Sequence, residues 1–86
     1  MNHYQLSDAI LYRKQGKTGT LFNPSSGKIF SIDEVGRAIV DFLSTPKSME
    51  QIENHIKIHF AINSDTSLHD DIVKFLNELE SLGLFE

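Results

Sequence analysis

The stretch Asn23–Gly36, NPSSGKIFSIDEVG, places a turn, a very short apolar strand and the start of a helix side by side with almost no linker. Pro24 presets a turn and Gly27 permits a positive φ. The run from Lys28 to Ile32 predicts a strand, and the apolar spacing that follows it is helical. So short a strand placed directly against a helix calls for a structural or functional reason.

Two further strands precede this stretch. The segments Ala9–Lys14 and Thr20–Asn23 are apolar and contain β-branched or aromatic residues, and the glycine-containing segment QGKTG between them predicts a turn. Three strands joined by loops of about four or five residues are typical of an antiparallel meander. Residues 1–8 show no strong pattern.

The first helix is predicted over residues 33–43, where apolar side chains recur at i, i+3, i+4, i+7 and i+8. Either Asp33 alone or Ser31 together with Glu34 provides a cap, and we favour Asp33 because it leaves Ser31 in the strand. Pro46 then stops this helix.

Two more helices follow. Residues 48–60 begin with a capping box of Ser48 and Gln51, and residues 61–66 form a polar loop. The third helix, residues 67–82, has Ser67 as its predicted cap and Asp70 and Asp71 in its first turn. Gly83 is expected to end it at the C-cap.

The element order β-β-β-α-α-α predicts an α+β fold, a three-stranded antiparallel sheet followed by three helices, as in a winged helix-turn-helix. A length of 86 residues indicates one domain, residues 1–86, with its core at about 9–85. Apolar and charged fractions of 40% and 23% are typical of a globular protein. The chain has no cysteine, basic–apolar signal peptide or long apolar run, so we expect a cytoplasmic protein outside the membrane.

Charge is unevenly distributed. Residues 1–28 hold four basic residues and one acidic residue (+3), whereas residues 29–86 hold four basic and eleven acidic residues (−7). A DNA-reading helix needs exposed basic or amide side chains and phosphate contacts, but the second and third helices carry only Lys57 and Lys74 among several acids. The sequence therefore favours a basic or neutral partner over nucleic acid.

Candidate catalytic and metal-binding groups are weak. His55 and His59 share a helix face, but they lack the glutamate of an H-E-x-x-H motif and a third ligand, so flanking polar histidines are the better interpretation. Ser25 and Ser26 lack a base and read as turn residues. Adjacent helical aspartates point about 100° apart and form no acid–base pair. We therefore predict no catalytic residue, no metal, no cofactor and no enzymatic activity.

The segment TLFNPSSGKIFSIDEVGRAIVDFL resembles the PqqD-like RiPP recognition element. That family combines a strand, a turn ending in glycine, a short apolar or aromatic strand, a Leu-Asn pair, a glycine and an apolar helix, and the likeness extends through the second and third helices over about residues 9–85. The residues that match this pattern are Leu21, Phe22, Gly27, Ile29, Phe30, Ile32, Asp33, Gly36, Ile39 and Leu43.

Three positions depart from the family pattern. Asp33 stands where asparagine is common, and both residues cap helices. Val40 stands where an aromatic residue is frequent. The proline-glutamate pair that often follows the second strand of pyrroloquinoline-quinone carriers is missing, which favours the lasso-peptide and radical-SAM branches.

The resemblance implies a stand-alone protein that binds the leader segment of a ribosomally made precursor peptide and delivers it to a peptidase, a cyclase or a radical-SAM enzyme. The leader adds as an antiparallel strand to the third strand, and its side chains enter a groove against the third helix. An open strand edge suits such β-augmentation, which explains the short strand at the helix start. The expected peptide-binding residues are Lys28, Ile29, Phe30, Ser31 and Ile32 on the strand, with Leu68, Ile72, Phe75 and Leu76 as groove walls.

Asp71 and Lys74 are expected at the groove rim, where they would select leader charges. A core role for Ile72, Phe75 and Leu79 is equally compatible with helical spacing. The open edge also permits a homodimer in place of a monomer. Two other functions stay open: a winged-helix DNA-binding regulator, and an adaptor subunit that binds a folded protein.

Overall fold

The computed structural model describes residues 3–60 and 66–86. The elements are β1 (His3–Tyr4), β2 (Leu11–Gln15), β3 (Thr18–Asn23), β4 (Lys28–Ile32), α1 (Glu34–Phe42), β5 (Lys47–Ser48), α2 (Met49–His59) and α3 (Thr66–Ser81). The predicted α+β class, with a three-stranded antiparallel sheet and three helices, is confirmed. The winged helix-turn-helix description stays an interpretation of this order.

Strands β2, β3 and β4 form the sheet, in that order, and both pairs are antiparallel. β2 begins two residues later than predicted, because residues 7–10 form a turn in which the Ile10 amide donates to the Ser7 carbonyl at 3.2 Å. β3 begins two residues earlier than predicted, because the hairpin turns tightly at Gly16, which has a φ of 59°. The turn before β4 uses a positive φ of 76° at Gly27, as the sequence predicts. β4 has the predicted bounds.

Side chains alternate between the two faces of this sheet. The cross-strand row of Tyr12, Leu21 and Phe30 faces the helices, with Leu21 fully buried. The neighbouring row of Leu11, Phe22 and Ile29 faces away from them. We call these the inner face and the outer face of the sheet.

The N-terminal segment, which has no pattern in the sequence, is held by distant partners. β1 pairs with β5, and the Leu6 amide donates to the Leu43 carbonyl at 3.0 Å. The Ser7 amide donates to the Leu84 carbonyl at 2.9 Å, and the Glu86 amide to the Gln5 carbonyl at 2.8 Å. These bonds join the two ends of the chain, and no local periodicity could have announced them.

The starts of α1 and α2 follow their capping residues. The Asp33 carboxylate accepts from the Gly36 amide at 2.8 Å, which confirms Asp33 as the cap of α1. Ser48 accepts from the Gln51 amide at 3.2 Å, and the Gln51 side chain accepts from the Ser48 amide at 2.8 Å. This reciprocal pair is the predicted capping box of α2.

The prediction for the start of α3 was wrong. The helix already includes Thr66, so Ser67 lies inside its first turn and Asp70 and Asp71 lie beyond that turn. The predicted loop at residues 61–65 lies outside the described residues.

The end of α3 agrees with the prediction. Gly83 adopts a φ of 70°, its amide donates to the Glu80 carbonyl, and the Leu84 amide donates to the Leu79 carbonyl. This is a Schellman C-cap.

The core has two hydrophobic clusters, one among the helices and one between the sheet and α3. Phe75 and Phe85 pack against both. Gly36 permits the close approach of α1, since a Cβ at this position would lie 3.1 Å from the Phe75 ring and from the Ile32 Cβ. The packing of α1 between β4 and α3 therefore depends on a residue without a side chain.

Candidate functional site

Strand β4 is an edge of the three-stranded sheet. It pairs with β3 on one side, and no described residue pairs with its other side. Main-chain N–H and C=O groups on that second side are therefore free to accept another strand. The edge follows the Pro24–Gly27 turn and runs directly into α1.

The side chains of β4 divide between two environments. Phe30 and Ile32 point to the inner face, and Ile32 is buried there. The Phe30 ring lies 6.2 Å from the Phe75 ring of α3, centroid to centroid. Ile29 and Ser31 point to the outer face and are exposed, as is Lys28 at the start of the strand. β4 thus meets α3 through one aromatic pair and leaves its main chain accessible.

A groove of about 420 Å³ begins at Asp33, immediately after β4, and lies between the N-terminal turn of α1 and the first half of α3; none of residues 28–32 lines it. Its walls are mostly apolar, and two carboxylates border it. Gly36 contributes backbone where a larger residue would fill the space beside Phe75. The residues lining the groove are Asp33, Val35, Gly36, Ile39, Leu68, Asp71, Ile72 and Phe75.

Most of the predicted α3 residues lie on this groove. Leu68, Ile72, Phe75 and Asp71 line it, although the Ile72 side chain is only 2% exposed and also belongs to the core. Leu76 does not line the groove: it is 1% exposed and packs among the helices, because one further residue turns it about 100° away from Phe75. Lys74 is exposed but lies outside the lining, and Leu79 is core.

The α1 side of the groove was missed from the sequence. Val35, Gly36 and Ile39 supply this wall, whereas the sequence placed the groove between the third strand and α3. Gly36 was the available signal, because a glycine inside a helix costs stability relative to alanine and can be kept for close packing. Val35 remains 37% exposed at the groove, so an incoming side chain can bury it.

A cluster of polar side chains ties β2, the edge strand opposite β4, to α1. The Tyr12 hydroxyl donates to the Asp41 carboxylate at 2.7 Å, and Lys14 and Arg37 lie 3.6 Å and 3.5 Å from the same group. Arg37 also donates to the carbonyls of Gly16 and Thr18. Burial of the Tyr12 ring and its bond to Asp41 raise the pKa of Tyr12 to about 12.

The two helical histidines are engaged in ring contacts. His55 stacks on Phe42 with centroids 4.0 Å apart, and His59 lies 5.8 Å from His55. Burial first, then the positive charges of His59 and Lys47, lower the pKa of His55. Among residues 3–60 and 66–86, no group of three or more potential metal ligands comes together.

The described part of the chain contains no helix that is long and apolar enough to cross a membrane.

Polar side chains join α2 to α3. The Glu53 carboxylate lies 3.0 Å from His69 of α3, and it also lies 3.5 Å from Lys57 on its own helix. These contacts, the His69 hydrogen bond foremost, lower the pKa of Glu53.

Comparison with known proteins adds two findings. Residues 19–84 match the family described as coenzyme PQQ synthesis protein D (PqqD). The fold superposes with a TM-score of 0.79 on a solved structure described as TbiB1 in complex with the TbiA(beta) leader peptide. The two are 26% identical, and the match covers 95% of this chain and 94% of that one. No curated protein shows significant sequence similarity.

The fold, with its free strand edge beside a helical groove, is that of a RiPP recognition element. The chain belongs to the PqqD family. The resemblance inferred from residues 9–85 is therefore confirmed.

Proposed function

We propose that this protein binds the leader segment of a ribosomally synthesised precursor peptide. The leader adds to the free edge of β4 as an antiparallel strand, and alternate side chains enter the groove between α1 and α3. The carrying observation is the position of the unpaired β4 edge beside an apolar groove of about 420 Å³. The likeness to a chain solved with a leader peptide supports the same proposal.

Affinity and specificity come from different parts of this site. The main chain of residues 28–32 supplies hydrogen bonds that any extended sequence can make, so it fixes register and contributes affinity. The groove discriminates between side chains, because Val35, Ile39 and Phe75 favour an apolar anchor. Asp33 and Asp71 border the groove and favour a basic residue beside that anchor.

The protein's role in this proposal is recognition and delivery, without catalysis. Bond making and breaking belong to a partner peptidase, cyclase or radical-SAM enzyme, which receives the precursor through its bound leader. The missing proline-glutamate pair after β3 favours lasso-peptide or radical-SAM chemistry over the quinone pathway. The lack of cysteine is compatible with a cytoplasmic site of action.

A fluorescence-anisotropy titration tests the proposal. The labelled ligand is the leader of the precursor encoded beside this protein, with a scrambled leader and duplex DNA as comparisons. We expect micromolar or tighter binding that is lost on scrambling. DNA should bind weakly, because α2 and α3 present mostly acidic side chains and Lys57 is paired with Glu53.

The variant Val35→Asp locates the binding site. It places a carboxylate at the groove while keeping a helix-compatible acid in the first turn of α1. The matched control is Ile58→Asp, because Ile58 is 82% exposed on α2 and does not line the groove. We expect at least tenfold weaker leader binding for Val35→Asp and no change for Ile58→Asp, with the fold of each verified by circular dichroism.

Other outcomes decide against the proposal. Salt-sensitive DNA binding without leader binding would favour the DNA-binding regulator. If neither ligand binds and a folded partner docks without precursor, the chain is an adaptor.

A homodimer formed through β4 would compete with the leader for the same edge. If such a dimer forms, sedimentation velocity with and without leader should show it dissociating as the leader complex forms.

A further inference from the structure

The outer face of the sheet carries an exposed apolar row that lies apart from the groove. Leu11, Phe22 and Ile29 are direct cross-strand partners on β2, β3 and β4. Leu11 is 60% exposed and Ile29 is 67% exposed. Two of the most exposed large apolar side chains of the described residues thus lie in one line across three strands. Val35 and Ile58 lie elsewhere, at the groove and on α2.

The segment that forms the three strands carries basic residues and no acidic ones. Residues 9–32 contain Arg13, Lys14, Lys17 and Lys28 and not one aspartate or glutamate. Lys14 is engaged with Asp41, but Arg13 has no ion-pair partner among the described residues and shares the outer face with the apolar row. The rest of the chain carries the twelve acids against four basic residues. The strand residues of the outer face are therefore apolar or polar, with one positive charge, that of Arg13, and no carboxylate.

We propose that the outer face is the docking surface for the maturation enzyme that acts on the bound precursor, and that this enzyme presents an apolar patch bordered by carboxylates. The inference rests on the proposed leader binding, because a leader strand at the β4 edge extends the row. Its residue opposite Ile29 would project to the outer face, as side chains of paired residues share a face. This leader side chain then becomes part of the surface that the enzyme contacts.

This continuity explains how an enzyme would distinguish loaded from empty protein. Three side chains alone fall well short of the roughly 800 Å² per partner of a stable interface. The added strand enlarges the surface on the same face, so the enzyme should bind the leader complex more tightly than the free protein. The inner face cannot serve this purpose, because Leu21 and its neighbours are covered by helices.

A second copy of this chain fits the outer face less well. A two-fold contact would pair this face with itself, and the face carries the positive charge of Arg13 with no carboxylate to balance it. A contact between the basic sheet and the acidic helices would be head-to-tail and would not close into a dimer. Charge complementarity therefore favours a different, acidic-rimmed protein.

The test measures enzyme binding and leader binding separately. The probe is the purified enzyme encoded beside the precursor, immobilised for biolayer interferometry, with the full-length protein in solution at saturating and zero leader. Leu11→Asp and Arg13→Glu change the outer face on β2, two strands away from the β4 edge. Ile58→Asp is again the matched control, because Ile58 is an apolar residue that is even more exposed than Leu11 and lies on a different surface.

We expect Leu11→Asp and Arg13→Glu each to weaken enzyme binding at least tenfold while leader affinity stays within twofold of wild type. Ile58→Asp should match wild type in both assays, and leader should tighten enzyme binding of the wild type. Enzyme binding that is equal for wild type and both outer-face variants would overturn the proposal. A self-associated species that Leu11→Asp dissociates would also overturn it, by assigning the face to a second copy.

The two proposals fail in different ways. If the wild-type protein does not bind leader in the titration without enzyme, the proposed function is refuted. Intact leader binding with an unaffected enzyme complex refutes the outer-face assignment alone. Because Leu11 and Arg13 are both exposed, neither variant requires repacking of the core.

Discussion

The two edge strands of the sheet, β2 and β4, differ in their charge and in their contacts with the helices. β2 carries adjacent basic residues, Arg13 and Lys14, and is tied to α1 through Tyr12 and Lys14, which both contact Asp41. β4 has one basic residue, Lys28, at its start, and its edge is unpaired beside a groove. Charges on an edge strand discourage pairing with another chain. The difference indicates that β2 is protected against strand addition and that β4 is left open to it.

The origin of this difference is local and visible in five residues on each side. The sequence of β2 is LYRKQ, whereas that of β4 is KIFSI. Both alternate between faces, but only β4 places an aromatic residue, Phe30, against α3. The open edge is therefore next to side chains that can read a bound strand, and the protected edge is not.

The largest effect should come from removing the support that both edges share. Leu21 is fully buried in the central strand, opposite Tyr12 of β2 and Phe30 of β4. Leu21→Ala removes this contact and leaves a cavity, so we expect the free energy of unfolding to fall by about 3 kcal/mol. Urea denaturation followed by circular dichroism measures the change.

Phe22→Ala is the matched control, since Phe22 is the next residue on β3 but faces outward. It should cost clearly less stability than Leu21→Ala. Equal losses for the two variants would contradict the assignment of inner and outer faces on which the comparison of the edges depends.

A smaller but more selective effect, on leader affinity, is expected from blocking main-chain N–H groups of the leader. Two leader peptides, N-methylated on alternate residues within the β4-binding segment, direct their methyl groups either towards β4 or away from it. Two lost hydrogen bonds at about 1 kcal/mol each should weaken binding by about thirtyfold for one peptide only. Isothermal titration calorimetry compares them, and equal affinities would rule out β-augmentation at this edge.

The sequence was sufficient for the elements whose signals are local. The three strands, the caps Asp33 and Ser48 and the glycines at residues 27 and 83 follow from turn and capping chemistry. The pairing of β1 with β5 joins residues about 44 positions apart and has no local signature. The start of α3 was misplaced because Ser67 resembles a cap by type, and residue type alone does not fix a helix boundary.

The candidate site was only half predictable for a related reason. Helical spacing identifies the apolar stripe of α3, but it cannot tell which of Ile72, Phe75 and Leu76 meets a groove and which meets another helix. That division depends on where α1 lies, and α1 is placed by the close approach at Gly36. The wall formed by Val35 and Ile39 therefore emerges only from the packed structure.

The protected edge can be loosened by removing one hydroxyl. Tyr12→Phe deletes the bond to Asp41, and we expect a loss of about 1 kcal/mol, since Arg37 and Lys14 still pair with that carboxylate. The pKa of Tyr12 is raised to about 12 in the folded protein, above an ordinary value near 10. The stabilisation that the protonated Tyr12 hydroxyl contributes is therefore fully present below pH 10 and is lost as the pH rises through 12.

Ultraviolet titration at alkaline pH checks this directly. The wild-type protein should show a tyrosine ionising near pH 12, and Tyr12→Phe should lack that transition. The leader affinity of this variant should equal that of wild type, because Tyr12 is on the opposite edge from β4. A changed leader affinity would show that the two edges are coupled through the sheet.

The smallest effect is expected at the open edge itself, where neighbouring side chains point to opposite faces. Ile29→Ala should change leader affinity by about twofold or less, because Ile29 faces away from the groove and contacts only the leader side chain opposite it on the outer face. Phe30→Ala should weaken leader binding by about fivefold, since Phe30 faces the groove side next to Phe75 and a cross-strand contact is worth up to about 1 kcal/mol. Calorimetric titration of both variants with the same leader separates the two. If Ile29→Ala had the larger effect, the leader would have to cover the outer face, and the division between a leader edge and an enzyme-docking face would be wrong.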